Sequence, residues 1–182
     1  MPSSAFQVWS DTRLPVLMGA ERQCEAGLAA LQPENLRAYV VSLARHFQGY
    51  CRDLYTESAM VVVSKVRGSL VDVIQAQFLS GRRLDQGNPT LDTLDVDFSR
   101  FGFDLRQALR DQFDGDDTWH QRWNLMNRWR NAIAHAAREP AETLTLTTVR
   151  EWRRVVERVV AALDAILYRE LKRLLRRTPW QP

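Results

Sequence analysis

The sequence predicts an all-α fold, a helical bundle of about five main helices with shorter helices between them. Apolar residues recur at intervals of three and four through most of the 182-residue chain, which is the spacing of one face of an α-helix. The run of β-branched residues at 61–63 is flanked by this helical spacing and has no second strand-like segment to pair with. A chain of this length can bury a core without disulfides, so we expect a single domain over residues 1–182.

Composition and charge narrow the classes of protein to which the chain can belong. The net charge of +3 and the pI near 9.2 are compatible with a polyanionic partner but do not by themselves indicate one. The sequence contains two cysteines, Cys24 and Cys51, no secretory signal at its start and no run of about 18 apolar residues. These features indicate a reducing compartment, so we expect a cytoplasmic protein that is not inserted in a membrane.

The first elements are an irregular lead over residues 1–11 and a helix over residues 12–31, which Gln32 and Pro33 end. Proline is well tolerated at the first position of a helix, so a second helix is predicted to start there and to run to Leu54. The predicted apolar side of the first helix is Leu14, Val16, Leu17, Cys24, Leu28 and Leu31, and that of the second is Leu36, Val40, Leu43, Phe47, Tyr50 and Leu54.

The middle of the chain continues the helical pattern. Residues 60–66 are predicted to be buried helix, and a bend at residues 68–69 precedes a further helix over residues 70–79. Gly81 ends this helix, because glycine adopts the left-handed conformation that follows many helices. Residues 84–90 form the main loop, since they contain the turn-forming sequence Gly-Asn-Pro.

The second half is predicted to contain a short helix over residues 91–101, a second one capped by Asp104 and ending near residue 113, and a long last helix over residues 147–177. The outer faces of the last helix are rich in arginine. They are interpreted either as an ordinary solvated surface paired with neighbouring glutamates or as a track for the RNA backbone.

Asp114, Asp116 and Asp117 form an acidic cluster before the next helix. Carboxylates suit Mg²⁺ or Ca²⁺, so a metal-dependent enzyme is one interpretation. The cluster lacks the spaced ligands and the terminal glutamate of a calcium loop, and acidic residues before Thr118 have a plain role as a helix cap. We therefore expect no metal site and no cofactor.

The organising element is a helix over residues 119–138, which carries one apolar and one polar face. Arg130 lies between the two faces, and its long side chain can place its guanidinium beside the polar one. The apolar face consists of Trp119, Trp123, Met126, Trp129, Ile133 and Ala137, and the polar face of Asp117, His120, Asn124, Asn127, Asn131 and His135.

Residues 130–135, Arg-Asn-Ala-Ile-Ala-His, resemble the RxxxxH signature of the HEPN superfamily. The resemblance extends upstream, because residues 36–54 resemble the early helix of stand-alone bacterial HEPN-like nucleases and residues 98–103 the connection before their catalytic helix. It covers residues 12–178 and implies a bundle that is usually dimeric and is often a metal-independent endoribonuclease of toxin or defence systems.

The chemistry expected of this motif follows from its residue types. RNA carries its own nucleophile, the 2′-OH, so cleavage requires a base, an acid and positive charge on the phosphate. We predict that His135 performs a proton-transfer step, that Arg130 binds the scissile phosphate, and that Asn131 positions the imidazole or the substrate. The products would be a 2′,3′-cyclic phosphate and a 5′-OH. Three further residues of this helix, Asn127, Arg128 and Arg138, are predicted to contact RNA.

Other interpretations of the motif remain open from the sequence. Arg130 could pair with a carboxylate while His135 caps the last helical turn, where the helix dipole favours a cation. The protein would then be a catalytically inactive HEPN-like helical dimer that binds RNA or protein. The expected partners are RNA and a second copy of the chain, and an antitoxin or another protein partner is left open. Toxins of the family that are silenced by nucleotidylation carry a tyrosine where this chain has Ala137, so we predict no nucleotidyltransferase partner.

Overall fold

The computed structural model describes residues 1–28, 31–68 and 70–180, and within these ranges the chain forms helices and turns but no β-strand. The predicted all-α class is therefore confirmed. The α-helices are α1 (Ser4–Val8), α2 (Leu14–Ala26), α3 (Gln32–Val63), α4 (Leu70–Leu79), α5 (Leu91–Phe98), α6 (Leu105–Gln112), α7 (Thr118–Ala134) and α8 (Leu146–Leu175). A π-helical turn, Trp9–Arg13, joins α1 to α2, and 3₁₀ turns lie at Arg83–Asp85 and Ser99–Phe101.

Helix α3 is the central element, and it packs against α1, α2, α4, α7 and α8. Its 32 residues span about 48 Å at 1.5 Å per residue. Gly49 lies where the Arg13 guanidinium crosses the helix, and a Cβ at this position would approach Arg13 Nη1 to 2.6 Å. All the predicted core positions of this helix are buried: Leu36, Val40, Leu43, Phe47, Tyr50 and Leu54.

Helices α7 and α8 pack against each other and against α3, and they close the core on its other side. The Tyr50 hydroxyl donates to the carbonyl of Val160 at 2.9 Å, and the rings of Phe47 and Trp123 meet edge to face with centroids 5.4 Å apart. These contacts join α3 to both helices through buried side chains. All six tryptophans of the chain are buried: Trp9, Trp119, Trp123, Trp129, Trp152 and Trp180.

The N-terminal segment is helical, and the predicted irregular lead over residues 1–11 is therefore wrong. Ser3 caps α1, and both its N–H and its hydroxyl donate to Asp164 Oδ1 on α8. The carboxylate of Glu57 on α3 accepts the next two N–H groups, from Ser4 at 2.9 Å and Ala5 at 3.0 Å. Burial raises the pKa of Asp164, and the hydrogen bonds from Ser3 oppose that shift. The first turn is thus held by carboxylates that are distant in the sequence.

The predicted helix over residues 12–31 ends earlier, at Ala26, because Gly27 is extended. Leu28 and Leu31 are consequently exposed, although they were expected in the core, and residues 29–30 lie outside the described ranges. Val16 was also expected in the core and is exposed, whereas Leu17 is buried.

The region over residues 60–66 is less buried than predicted. Helix α3 runs through to Val63, which is buried, but Met60 is exposed and the helix ends before residue 64. Helix α4 forms as expected, yet none of its residues is buried, and Leu70 and Val73 are 59% and 63% exposed. The expected bend at Ser69 lies outside the described residues.

The short elements agree with the sequence. The left-handed Gly81 follows α4, and the Arg100 guanidinium donates to carbonyls at the end of that helix, including those of Phe78 at 3.1 Å and Ser80 at 2.9 Å. The Asp104 carboxylate accepts from the N–H of Gln107 at 2.8 Å and caps α6, as predicted. Helix α8 lies within two residues of its predicted bounds at each end. None of the helices in the described ranges is long and apolar enough to cross a membrane.

Candidate active site

The apolar face of α7 anchors the motif in the bundle. Trp119, Trp123, Met126 and Trp129 are all buried, in agreement with the predicted core face. Ile133 is half-buried and packs against the same core. The helix holds the backbone of the motif on a rigid element, and its polar residues emerge at the C-terminal end.

Helix α7 ends at Ala134, four residues before its predicted end at residue 138. His135 occupies the C-cap position, and its N–H donates to the carbonyl of Asn131 at 3.0 Å. Ala136 is left-handed, with φ of 47°, and the N–H of Ala137 reaches back to the carbonyl of Ala132 at 2.9 Å. This is the Schellman arrangement, and it ends the helix before Glu139 and Pro140.

The early end of the helix changes the position of two predicted residues. Ala137, which was assigned to the apolar face, is exposed and lies outside the helix, so this assignment is wrong. Ala136 is not glycine, and an L-residue in the left-handed region is strained by about 1 kcal/mol. The backbone beside His135 is therefore held in a sparsely populated conformation, which is a feature that clusters at functional sites.

The polar centre of the site is Asn131 Oδ1. It accepts a hydrogen bond from Arg130 Nη1 at 3.2 Å and a second one from Asn88 Nδ2 at 2.6 Å. Arg130 is half-buried on the margin of the apolar face, as the sequence predicts. Asn88 comes from the loop between α4 and α5, and sequence reasoning missed it, because nothing in that loop except its turn chemistry marks the residue.

His135 is exposed, and its imidazole makes no hydrogen bond with any described residue. Within the described ranges, Arg130 likewise has no carboxylate within ion-pair distance. The alternative interpretation of the motif is therefore seen only in part, because His135 does occupy the C-cap position but Arg130 has no ion pair with a described carboxylate. A cationic guanidinium and an accessible imidazole lie at the same end of one helix, where both can meet a ligand from solvent.

The predicted RNA contacts occupy different environments. Asn127 is 4% exposed, so it does not reach a ligand in solvent, and direct contact with RNA is not supported by this conformation. Arg128 is exposed and pairs with Glu142 at 3.3 Å. Arg138 is exposed beyond the end of the helix and has no ion-pair partner among the described residues.

A surface cleft of about 320 Å³ lies beside the motif helix, between the start of α3 and the segment that follows His135. Its lining includes Trp129 and Pro140. Arg37 on α3 pairs with Glu139 at 2.8 Å, so the segment leaving the motif is tied to α3. Arg130, Asn131 and His135 do not line this cleft.

The other two histidines, His46 and His120, lie outside the motif and contact neighbouring side chains or are partly buried. His120 Nε2 lies 3.1 Å from Asn124 Nδ2, and its ring packs beside Trp119. Burial lowers the pKa of His46, and the charges of Arg13 and Arg45 add to this effect. His46 lies on α3, and His120 lies ten residues before Arg130 on α7, so neither is a helical neighbour of Arg130.

The acidic cluster serves as a helix start. Asp116 accepts from both the N–H and the hydroxyl of Thr118 at 2.9 Å, and these bonds hold its pKa below the usual range. Among the described residues, no group of three or more His, Cys, Asp and Glu side chains could hold a metal ion.

The basic faces of α8 are largely occupied. Arg150 and Arg153 bind the carboxylate of Glu21 on α2 at 2.8 and 2.7 Å. Arg158 stacks over the ring of Phe113, with the guanidinium carbon 5.6 Å from the ring centroid. These contacts favour the interpretation in which the arginines of α8 pair with side chains of the same chain over the one in which they bind the RNA backbone.

Comparison with known proteins places the motif in a family context. Residues 29–169, which are more than half of the chain, match the family described as RiboL-PSP-HEPN. The match includes both the loop that carries Asn88 and the motif helix. No curated protein and no solved structure matches the chain.

Proposed function

Since this chain belongs to the HEPN superfamily, through the family described as RiboL-PSP-HEPN, we propose that it is a metal-independent endoribonuclease. Membership of a HEPN family suggests a nuclease or another RNA-related function. The observation that supports cleavage is that an accessible His135 and the Arg130 guanidinium lie at the same end of α7. No described carboxylate neutralises this guanidinium. A toxin or defence role is the context we propose for this activity.

In the proposed reaction, the 2′-oxygen of the RNA attacks the adjacent phosphorus. A base removes the 2′-OH proton, the bond from phosphorus to the 5′-oxygen breaks, and an acid delivers a proton to that oxygen. The products are a 2′,3′-cyclic phosphate and a 5′-OH. Imidazole can perform either proton transfer near neutral pH, and His135 has this role.

Arg130 supplies the positive charge. Its guanidinium can donate two parallel hydrogen bonds to phosphate oxygens, and charge that develops in the transition state strengthens them. Positive charge is needed at this position because the C-terminal end of a helix carries partial negative charge, which by itself repels a phosphate. Asn131 holds one edge of the guanidinium at 3.2 Å and leaves its other donors for the substrate.

One chain provides one motif histidine, whereas the reaction needs both a base and an acid. We propose that a second copy of the chain supplies the other His135 in a two-fold dimer with a shared cleft. His120 is fifteen residues away, about 22 Å along a helix at 1.5 Å per residue, too far to act on the same phosphate. The alternative is an inactive RNA- or protein-binding module, which would tolerate an imidazole that no described side chain orients.

The test is cleavage of total RNA by the purified protein and by His135→Ala. The variant is expected to lose cleavage by a factor of at least about 100, with an almost unchanged thermal midpoint, because an exposed side chain contributes little packing. His46→Ala is the matched control, since this histidine lies outside the site, and it should cleave like the wild type.

The same assay in excess EDTA separates this proposal from a metal-dependent one. Cleavage should persist, and its products should carry 2′,3′-cyclic phosphate ends. A fully active His135→Ala protein would overturn the assignment. Loss of cleavage on chelation, restored by Mg²⁺, would move the reaction to a metal site.

A further inference from the structure

The contact between Asn88 and Asn131 joins two parts of the chain that are 43 residues apart. Asn88 Nδ2 and Asn131 Oδ1 are separated by 2.6 Å, which is short for a hydrogen bond between amides. Helix α7 alone cannot provide this contact, because Asn88 belongs to the loop before α5. A residue outside the motif therefore touches the centre of the motif.

The donor chemistry fixes which way each of the two amides points. A guanidinium has only donors, so the Asn131 atom that faces Arg130 Nη1 must be the oxygen. The Asn88 atom that meets this oxygen must then be its nitrogen. One acceptor thus receives two donors, one from the helix and one from the loop. Asn131 Nδ2 is therefore the amide atom that faces neither donor.

The loop that carries Asn88 is pinned to the rest of the bundle. Gln48 Nε2 and Arg52 Nε both donate to the carbonyl of Leu84, at 3.0 and 2.9 Å. The carboxylate of Asp97, which is fully buried, accepts from the N–H of Leu84 at 2.8 Å. Side chains from α3 and α5 therefore fix this loop, and they present Asn88 on a rigid support.

We infer that Asn88 is a positioning residue of the proposed ribonuclease site, which acts on the scissile phosphate through Asn131 and Arg130. This inference rests on the proposed function. Without the donor from Asn88, the bond from Arg130 alone holds the exposed Asn131 amide, and this side chain can turn into solvent. The guanidinium would then lose the acceptor that holds it and would move away from the phosphate. A misplacement of about 1 Å in such a group costs about 100-fold in rate.

Two substitutions remove the donor in different ways. Asn88→Ala deletes the amide, while Asn88→Asp keeps its shape, has no N–H and adds a negative charge that draws Arg130 away from Asn131. We expect kcat to fall about 10-fold for the first variant and about 100-fold for the second. The value of kcat/KM should fall by the same factor in each variant, because the lost alignment matters only in the transition state. Gln86→Glu is the matched control, since it adds the same charge to an exposed side chain of the same loop.

A second pair of variants tests whether Asn88 acts through Asn131. Adding Asn88→Ala to Asn131→Ala should cause no further loss of activity, because the acceptor is already missing. Multiplying losses would show that Asn88 acts on the RNA itself and would overturn the inference. Thermal midpoints near that of the wild type would exclude a merely structural effect of the loop substitutions.

The outcomes distinguish this inference from the function on which it rests. An active wild type with Asn88 variants that cleave like Gln86→Glu would overturn the positioning role alone. A loss of activity explained by a lowered thermal midpoint would also overturn it. A wild type that cleaves no RNA would overturn the proposed function and this inference together.

Discussion

The side chain of Asn127 lies inside the bundle, and neither its amide nitrogen nor its oxygen has a hydrogen-bond partner among the described residues. A buried polar group without a partner costs about 1 to 3 kcal/mol. We predict that Asn127→Leu, which has a similar shape, raises the free energy of unfolding by about that amount. For a chain of this size each kcal/mol corresponds to a rise of about 2 to 4 °C in the thermal midpoint.

Asn124→Leu is the control for this measurement. Its amide already contacts His120, so this substitution loses a contact and should bring no gain. RNA affinity should remain unchanged in Asn127→Leu, because a side chain that is 4% exposed does not reach a ligand. A fall in affinity would instead return Asn127 to the RNA interface that the sequence suggested.

At the residue scale, the sequence was informative where the helical period decides the position. The margin position of Arg130 and the exposure of His135 follow from their angles about α7. The burial of Asn127 does not follow, since an asparagine on a predicted polar face is not expected in the core. Asn88 could not be predicted either, because its partner is set by the packing of a loop against a distant helix.

At the scale of elements, Glu21 links α2 to α8. Burial by itself would raise the pKa of Glu21, but the hydrogen bonds and charges of Arg153 and Arg150 outweigh it and hold this pKa below its ordinary value. The carboxylate therefore contributes stability above the pKa it has in the unfolded chain. This contribution is lost as the pH falls through the lower pKa of the folded state.

We predict that Glu21→Gln lowers the free energy of unfolding by about 3 kcal/mol at pH 7, because Arg153 keeps a buried charge without its partner. The difference from the wild type should shrink as the pH falls through the lowered pKa of Glu21 in the folded state, where the wild-type carboxylate also takes up a proton. Denaturant titrations at several pH values measure both effects.

Glu25→Gln is the matched control for this ion pair. Glu25 also binds Arg150, at 2.8 Å, but its side chain is exposed, so its loss should cost less than about 1 kcal/mol. Equal effects of the two substitutions, or a difference that does not change with pH, would contradict the assigned role of Glu21.

The sequence predicts a helix correctly where the helix depends on its own residues. The prediction fails where distant residues stabilise the helix. In α3, apolar residues recur at helical spacing along the length of the helix. Asp104 is a typical capping residue, and it marks the start of α6. Helix α1 has only five residues, and Glu57 and Asp164 hold its first turn from far along the chain. A single sequence contains no sign of such pairings, so an irregular lead was the natural but wrong prediction.

For the whole molecule, we predict that the active species is a two-fold dimer in which the polar face of each motif helix meets its partner. Ala134→Glu places a charge on the exposed end of this face and should convert the dimer to a monomer and abolish cleavage. Light scattering at micromolar concentration measures the mass. A fully active monomeric wild type would contradict the shared cleft.

The control for this experiment uses another exposed apolar surface. Val73 on α4 is 63% exposed, and Val73→Glu should leave both mass and activity unchanged if the motif helices form the interface. Dissociation by Val73→Glu but not by Ala134→Glu would place the dimer contact on α4. The expectation of one domain over residues 1–182 stays a prediction, and a single cooperative unfolding transition would support it.

The π-helical turn Trp9–Arg13 also constrains how the sequence can change in length. Such a turn contains one residue more than an α-helical turn. Because the extra residue is contained within one turn, the segments on either side keep their angular register, and Ser3 faces Asp164 across the turn. Deleting the exposed Thr12 should therefore leave the contact between Ser3 and Asp164 in place. Deleting a residue from the regular helix α2 should instead rotate the preceding segment by about 100° and break this contact.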